Sequence, residues 1–272
     1  MYAVLNNEQI AATAPSVFAT EAHSSRSDRY AFVPTSTVLT AMRREGFEVT
    51  MASQSKTRVA GKQNFTKHML RMRHSSALLG RQVGDVVPEI VLINSHDGAS
   101  TYNLLAGLFR LVCANGAVVA DSLIQSVHIR HTGDVVAEVL AASMKVLEQT
   151  GKAVEVSQSW RSLMLSQDER MALAEAAHYV RFADSNGEIE TPVEPRKLLI
   201  ARRNEDKGSD LWSTWNVVQE NAMRGGLKGH RIDDRGRSRR VTTRGVKGID
   251  QDVRLNTALW TLGEKMAELK AA

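Results

Sequence analysis

His68, His74, His96, His128 and His131 crowd the first half of the sequence, together with Asp97. Imidazole nitrogens beside a carboxylate are what a catalytic metal site or a metal-dependent nuclease requires. Such sites hold their ligands at characteristic spacings. The sequence has no HExxH and no paired CxxC. These histidines therefore read as polar residues at strand ends and turns, with Ser95-His96-Asp97-Gly98 a structural turn and no metal or cofactor expected. A nuclease built on His96 and Asp97 is kept as a rival reading. Nucleotide chemistry has no support either, because neither GxxxxGK[ST] nor GxGxxG occurs. GxSxG is absent too, so nothing orders a serine beside a base.

The cations carry a stronger signal. Val49 to Gly84 contains seven Lys and Arg and no acid, and Arg224 to Arg254 contains ten against Asp233, Asp234, Asp250 and Asp252. Gly133 to Glu190 leans the other way, with ten acids against five cations. A net charge of +5 hides this segregation, and acid-free basic runs are the footprint of a polyanion partner. Arginine meets phosphate through a planar fork of donors. Arg235, Arg237, Arg239, Arg240 and Arg244 lie in a glycine-punctuated run almost without aromatics, which suits contact with the backbone rather than base reading. Trp212, Trp215 and Trp260 could stack on bases, but their helical spacing with aliphatic residues places them in a core.

The elements that must position these residues follow from periodicity. Residues 1–29 are rich in Ala, Ser and Thr and read as a loosely ordered arm. A helix is expected from Thr35 or Ser36 to Arg44, stopped by Gly46, then a strand over Phe47–Ser53. Phe65–His74 fits either a helix or a strand. Val86–Asn94 and Tyr102–Cys113 read as strands, with Gly107 marking a bulge or a close backbone approach and Asn115-Gly116 a tight reversal. Val118–Ala120 and Ser126–His131 complete a meander. Helical spacing follows at Val135, Val139, Ala142 and Val146, then at Leu165, Met171, Ala174 and His178. It returns at Trp212, Trp215, Val218 and Ala222, and last at Leu255, Leu259, Leu262 and Met266. The expected fold class is α+β: an antiparallel β-meander in the first half packed against helices mostly from the second. Residues 30–272 are expected to form one domain with a basic loop or ribbon at about 227–246. A single cysteine, Cys113, in an apolar context reads as an inert buried thiol and fits a reducing compartment. With no secretory leader pattern and no apolar span, the cytoplasm is expected and no membrane.

Several motifs occur in the order in which one known family carries them. They are Phe65-Thr66-Lys67-His68-Met69-Leu70-Arg71-Met72-Arg73, Asn94-Ser95-His96-Asp97-Gly98, and Gly107-Leu108-Phe109-Arg110-Leu111-Val112-Cys113-Ala114-Asn115-Gly116. Arg130-His131-Thr132-Gly133, Gln219-Glu220-Asn221, Arg224-Gly225-Gly226 and the Arg244–Trp260 stretch follow. From about Tyr30 to Leu269 the chain resembles the phage- and plasmid-associated proteins of domain of unknown function 932. That resemblance implies a role in DNA metabolism or host interaction. The meander-then-helix layout is also similar to ring-forming single-strand annealing proteins, which work without nucleotide hydrolysis; this second likeness is one of fold only.

Together these readings predict a non-enzymatic protein that binds and anneals single-stranded DNA for phage or plasmid recombination, as a ring or filament and without ATP. The expected phosphate contacts are Lys67, Arg71, Arg73, Arg110 and Arg130 on the sheet. Arg235, Arg237, Arg239, Arg240 and Arg244 are expected to contribute from the ribbon. An inhibitor of an acidic host protein is the remaining alternative.

Overall fold

The computed structural model describes residues 4–26, 30–78, 85–110, 116–118, 126–131, 133–232 and 234–271. The chain divides into two compact units, 1–154 and 155–272.

The first unit is built on a sheet of β1 (Phe47–Gln54), β2 (His68–His74), β3 (Val86–Asn94), β4 (Tyr102–Arg110), β5 (Gly116–Val118) and β6 (Val127–Ile129). β1 to β5 follow one another in sequence order, each antiparallel to the next. β6 pairs with the first residues of β4, Tyr102 to Leu104, and β5 with its later ones, Gly107 to Phe109. The expected meander is what the chain forms. Phe65–His74, open between helix and strand, resolves as the strand β2 from His68 onward. Its hydrogen bonds go to β1 and β3 on both sides, and a helix there would leave those neighbouring edges unpaired. Residues 68 to 73 are all buried, so β2 is a central strand covered on both faces. The tail of the expected second strand, with Cys113, and Asn115 of the expected reversal lie outside the described residues.

The N-terminal segment departs from its expectation as a loose arm. Asn7–Thr13 forms helix α1, closed by a capping box in which Asn6 and Gln9 satisfy each other's backbone amides. Ile10, Ala14 and Val17 are fully buried, and the Leu5 amide donates to the Val49 carbonyl of β1 at 2.8 Å. Three buried apolar side chains outweigh the local preference of an Ala/Ser/Thr-rich stretch for disorder. Helix α2 (Thr35–Arg44) buries Val38, Leu39 and Met42 and stops at Gly46, whose φ of 86° suits glycine.

Helix α3 (Val135–Ser159) buries Val135, Val139, Ala142 and Val146, the spacing read from the sequence. The second unit contains α4 (Gln167–Phe182), α5 (Leu211–Arg224), α6 (Ile249–Ala271) and a two-stranded ribbon of β7 (Lys228–Ile232) and β8 (Ser238–Thr242). Its core is a cluster of Trp160, Trp212, Trp215 and Trp260, each 2 % exposed or less. Trp212 and Trp215 stack at 5.6 Å, and Trp160 lies 4.9 Å from Trp260. The Trp215 indole N–H donates to the Leu259 carbonyl at 2.7 Å. Gly263 makes room for this cluster: a Cβ there would sit 2.3 Å from the Trp160 ring. The tryptophans are therefore core, as their spacing predicts. No helix among the described residues is long and apolar enough to cross a membrane.

Candidate nucleic-acid interface

The ribbon is rooted in the end of α5. The Asp210 side chain caps α5 at the Ser213 amide, and the helix is buried on every side, Trp212, Trp215, Val218 and Ala222 included, with only Ser213 and Arg224 outside the core. Gly225 and Gly226 then reverse the chain with φ of 64° and 78°. A Cβ on Gly225 would lie 2.6 Å from the Arg244 carbonyl carbon, so only glycine lets the two legs close here. Backbone bonds lock the root: Gly226 N–H to Thr243 O, Thr243 N–H to Leu227 O and Val246 N–H to Met223 O, at 2.8 to 2.9 Å. From this root β7 and β8 pair in register from Lys228↔Thr242 to Ile232↔Ser238. A stretch expected as a loop or mobile ribbon is thus a paired one.

Pairing gives the ribbon two faces, because alternate residues of a strand point to opposite sides. On the inner face Gly229 meets residues 190–193; a Cβ there would be 2.4 Å from the Pro192 carbonyl oxygen. Arg231 also donates to the Glu190 carbonyl at 2.8 Å. That supporting segment is fixed in turn by His178 of α4, whose Nε2–H donates to Val193 O at 2.6 Å. The outer face carries Lys228, His230 and Ile232 from β7 and Ser238, Arg240 and Thr242 from β8, all exposed. At the tip, Asp234, Arg235, Arg237 and Arg239 line an open cup. Arg244 is exposed at the root, and its carbonyl is held by Arg181 at 2.9 Å. All five ribbon arginines expected at the site therefore share one exposed element. The sequence reading left out Lys228, His230, Arg231 and Ile232. Lys228-Gly229-His230-Arg231-Ile232 carries no apolar alternation that would mark it as a strand.

The sheet arginines behave differently, and the expectation for three of them is corrected. Arg71 and Arg73 lie on the face of β2 that meets Glu89 of β3, and each is 3 % exposed. Arg71 Nη1 donates to Glu89 Oε2 at 3.1 Å, while Arg73 donates Nε–H and Nη2–H to Glu89 Oε1 at 3.0 and 2.8 Å. Gly107 stands opposite Glu89, and a Cβ there would be 3.1 Å from the Glu89 Cβ. The close approach read from Gly107 is real, and it makes room for this ion trio. Arg73 also lies 3.5 Å from the centre of the Phe109 ring. Charges sealed beneath a sheet and bonded to a carboxylate cannot be extended to a phosphate without breaking the core. Arg110 is buried as well. Of the sheet set, Lys67 is half-buried and Arg130 exposed.

The histidines form a second concentration of polar groups within the first unit. Thr35 Oγ1 sits 2.9 Å from His68 Nε2, 3.2 Å from His96 Nε2, 3.2 Å from the Tyr102 hydroxyl and 3.1 Å from Asn94 Nδ2. The partners assign the tautomers. Ser16 donates to Gln54 Oε1 at 2.7 Å, so its oxygen accepts from His68 Nδ1–H. His68 Nε2 must then accept from Thr35, and His96 donates Nε2–H to Thr35. His131 donates Nε2–H to Asn94 Oδ1 at 3.0 Å. The Nδ1 atoms of His96 and His131 meet no hydrogen-bond partner among the described residues. Burial pushes His68 down to about 3 and His96 to about 4, and lowers His131 too, so all three are neutral at pH 7. Burial raises Asp97, but the Ala99 amide and Lys62, whose Nζ is 3.1 Å away, together outweigh it and hold the carboxyl below the ordinary range. Among the described residues no three His, Cys, Asp or Glu side chains converge as a metal set. The network joins α2 to the ends of β2, β3 and β4, and fixes the turn that carries His96 and Asp97.

Residues 22–260 match the family model described as domain of unknown function (DUF932). The chain belongs to the DUF932 family. It is similar to two proteins of Escherichia coli (strain K12). It is 42% identical to UPF0380 protein YafZ and 41% identical to UPF0380 protein YfjQ, each alignment covering 96% of this chain and 91% of the relative. No solved structure matches. The motif residues that suggested DUF932 largely support the structure. Asn221 donates to the carbonyls of Leu198 and Ile200, each at 2.9 Å. Glu220 receives Arg203 and Arg224, both at 2.6 Å, and Gln219 donates to Asn256 at 2.7 Å. These bonds brace the root of the ribbon within the DUF932 domain.

Proposed function

We propose that the ribbon of the second unit holds single-stranded DNA by its sugar-phosphate backbone, and that the protein anneals complementary strands without nucleotide hydrolysis. One observation carries this reading: Arg235, Arg237, Arg239, Arg240 and Arg244 are all exposed on one element whose root is rigidly braced. An exposed guanidinium can exchange water and counterions for phosphate, and the release of those counterions favours binding. Residues 227–248 contain no aromatic side chain apart from His230, so the strand would be gripped by phosphates with its bases left to pair. Lys67 and Arg130 belong to the first unit, and their phosphate contacts are proposed for that unit by itself. Arg71, Arg73 and Arg110 have no part in this scheme. Assembly into a ring or filament, residence in the cytoplasm and service in phage or plasmid recombination belong to the same proposal.

The test is a titration of a fluorescent single strand across a range of salt, followed by annealing assays with ATP omitted and with chelator present. Binding should fall with a log–log slope of roughly 0.7 per phosphate neutralised, and annealing should persist in chelator. A salt-independent affinity would remove the electrostatic basis. Shortening of the strand in the presence of metal would favour the nuclease reading.

A further inference from the structure

The outer face of the ribbon carries one residue that neither charge nor packing explains. Ile232 is 71 % exposed at the end of β7, the most exposed β-branched apolar side chain among the described residues. Its cross-strand partner is Ser238, and its neighbours along the same face are His230 and Arg240, themselves paired across the ribbon. The opposite face is the one seated on residues 190–193 through Gly229 and Arg231. Ile232 therefore points away from the second unit's core and stabilises none of it. An exposed apolar side chain beside His230 and Arg240 is poorly matched to water, and poorly matched to phosphate as well. It is well matched to a nucleobase, whose flat apolar face lies one bond network away from the phosphates that the neighbouring cations would hold.

We infer that Ile232 is a base-contacting wedge, flanked by His230 and Arg240, and that the ligand of the outer face is a polynucleotide with unpaired bases rather than a polyanion at large. This rests on the proposed role of the ribbon as a phosphate grip and deepens it: the cations fix the backbone, and Ile232 inserts beside or between adjacent bases. Aliphatic side chains do this where nucleic acids are unstacked. A single aliphatic contact would hold the strand weakly enough for its bases to be released to a complement.

The test uses the full chain with two single strands of equal length, one of thymidines and one abasic throughout. The variants are Ile232→Ser, Ile232→Leu and Arg240→Ala. Because Ile232 is exposed, Ile232→Ser should fold normally, and an unchanged melting temperature checks this. Ile232→Ser should bind the thymidine strand about tenfold more weakly, the loss of one buried aliphatic side chain. It should leave the abasic strand and the salt slope unchanged, and Ile232→Leu should bind like the natural protein. Arg240→Ala should weaken both strands equally. If Ile232→Ser binds the thymidine strand normally while the natural protein binds both strands, the wedge is wrong and the phosphate grip stands. If the natural protein binds neither strand, both readings fall together. Equal weakening on both strands by Ile232→Ser would assign the residue to the ribbon's structure and overturn the wedge.

Discussion

Arginines occupy two opposite situations in this molecule. On the sheet, Arg71 and Arg73 are buried on one carboxylate, Glu89, in a space opened by Gly107. On the ribbon, Arg235, Arg237, Arg239, Arg240 and Arg244 are exposed on an element pinned only at its root and inner face. Charge density along the sequence is similar in the two regions, so density alone does not mark a binding surface. What separates them is burial: Arg71 and Arg73 are each 3 % exposed, whereas the ribbon arginines face solvent. Buried guanidinium groups raise the cost of losing their partner, whereas exposed ones are available to exchange partners.

The comparison can be broken most sharply at Glu89. Glu89→Ala would leave Arg71 and Arg73 buried without their carboxylate, and should destabilise the first unit by about 3–5 kcal/mol in denaturant melts. An effect under 1 kcal/mol would mean that the trio is not the lock described. Next in size is Gly263→Ala. Its Cβ would press on Trp160, costing about 1–3 kcal/mol, seen as a lower melting temperature with reduced tryptophan burial by fluorescence.

Acid should loosen the polar network of the first unit. His68, His96 and His131 are held neutral when folded but protonate near 6.5 when unfolded, so protons favour the unfolded chain. Stability should be level above about pH 6.5 and decline as pH falls toward the folded values of about 3 and 4 for His68 and His96. The groups facing them include Asp97, whose charge opposes this decline, and the neutral Thr35, Asn94 and Tyr102. A pH series of urea midpoints checks it, and His96→Gln should flatten the slope; a flat natural profile between pH 7 and 5 would contradict the account. The smallest effect on stability should come from Arg237, Arg239, Arg240 and Arg244 replaced together by Ala, with each surface site changing stability by no more than about 0.5 kcal/mol.

Much of the fold was legible because its signals are local. Val86–Asn94 is an apolar run that matches β3 to the residue, and the tryptophans and valines of α3 and α5 show their helical step. The fate of Arg71 and Arg73 was hidden because Glu89 lies on another strand, where a lone acid beside Pro88 looks like punctuation. The N-terminal segment was misjudged for a related reason. Ile10, Ala14 and Val17 step at helical intervals, but Pro15 interrupts them and only the sheet beneath reveals their burial. In the ribbon, strand pairing is set by the root at Gly225, Thr243 and Arg244 rather than by an apolar alternation, so composition suggested a loop. The site was thus readable as a basic segment, while its two faces and the exposed Ile232 needed the register.

The most direct test of the central claim compares the natural protein with the variant lacking Arg237, Arg239, Arg240 and Arg244 in salt-dependent binding to a single strand. The account predicts an unchanged melting temperature, much weaker binding, and a log–log salt slope reduced by roughly 0.7 for each arginine that contacts phosphate. Natural affinity and slope in the variant would show that the exposed ribbon is no more a nucleic-acid surface than the buried sheet arginines are.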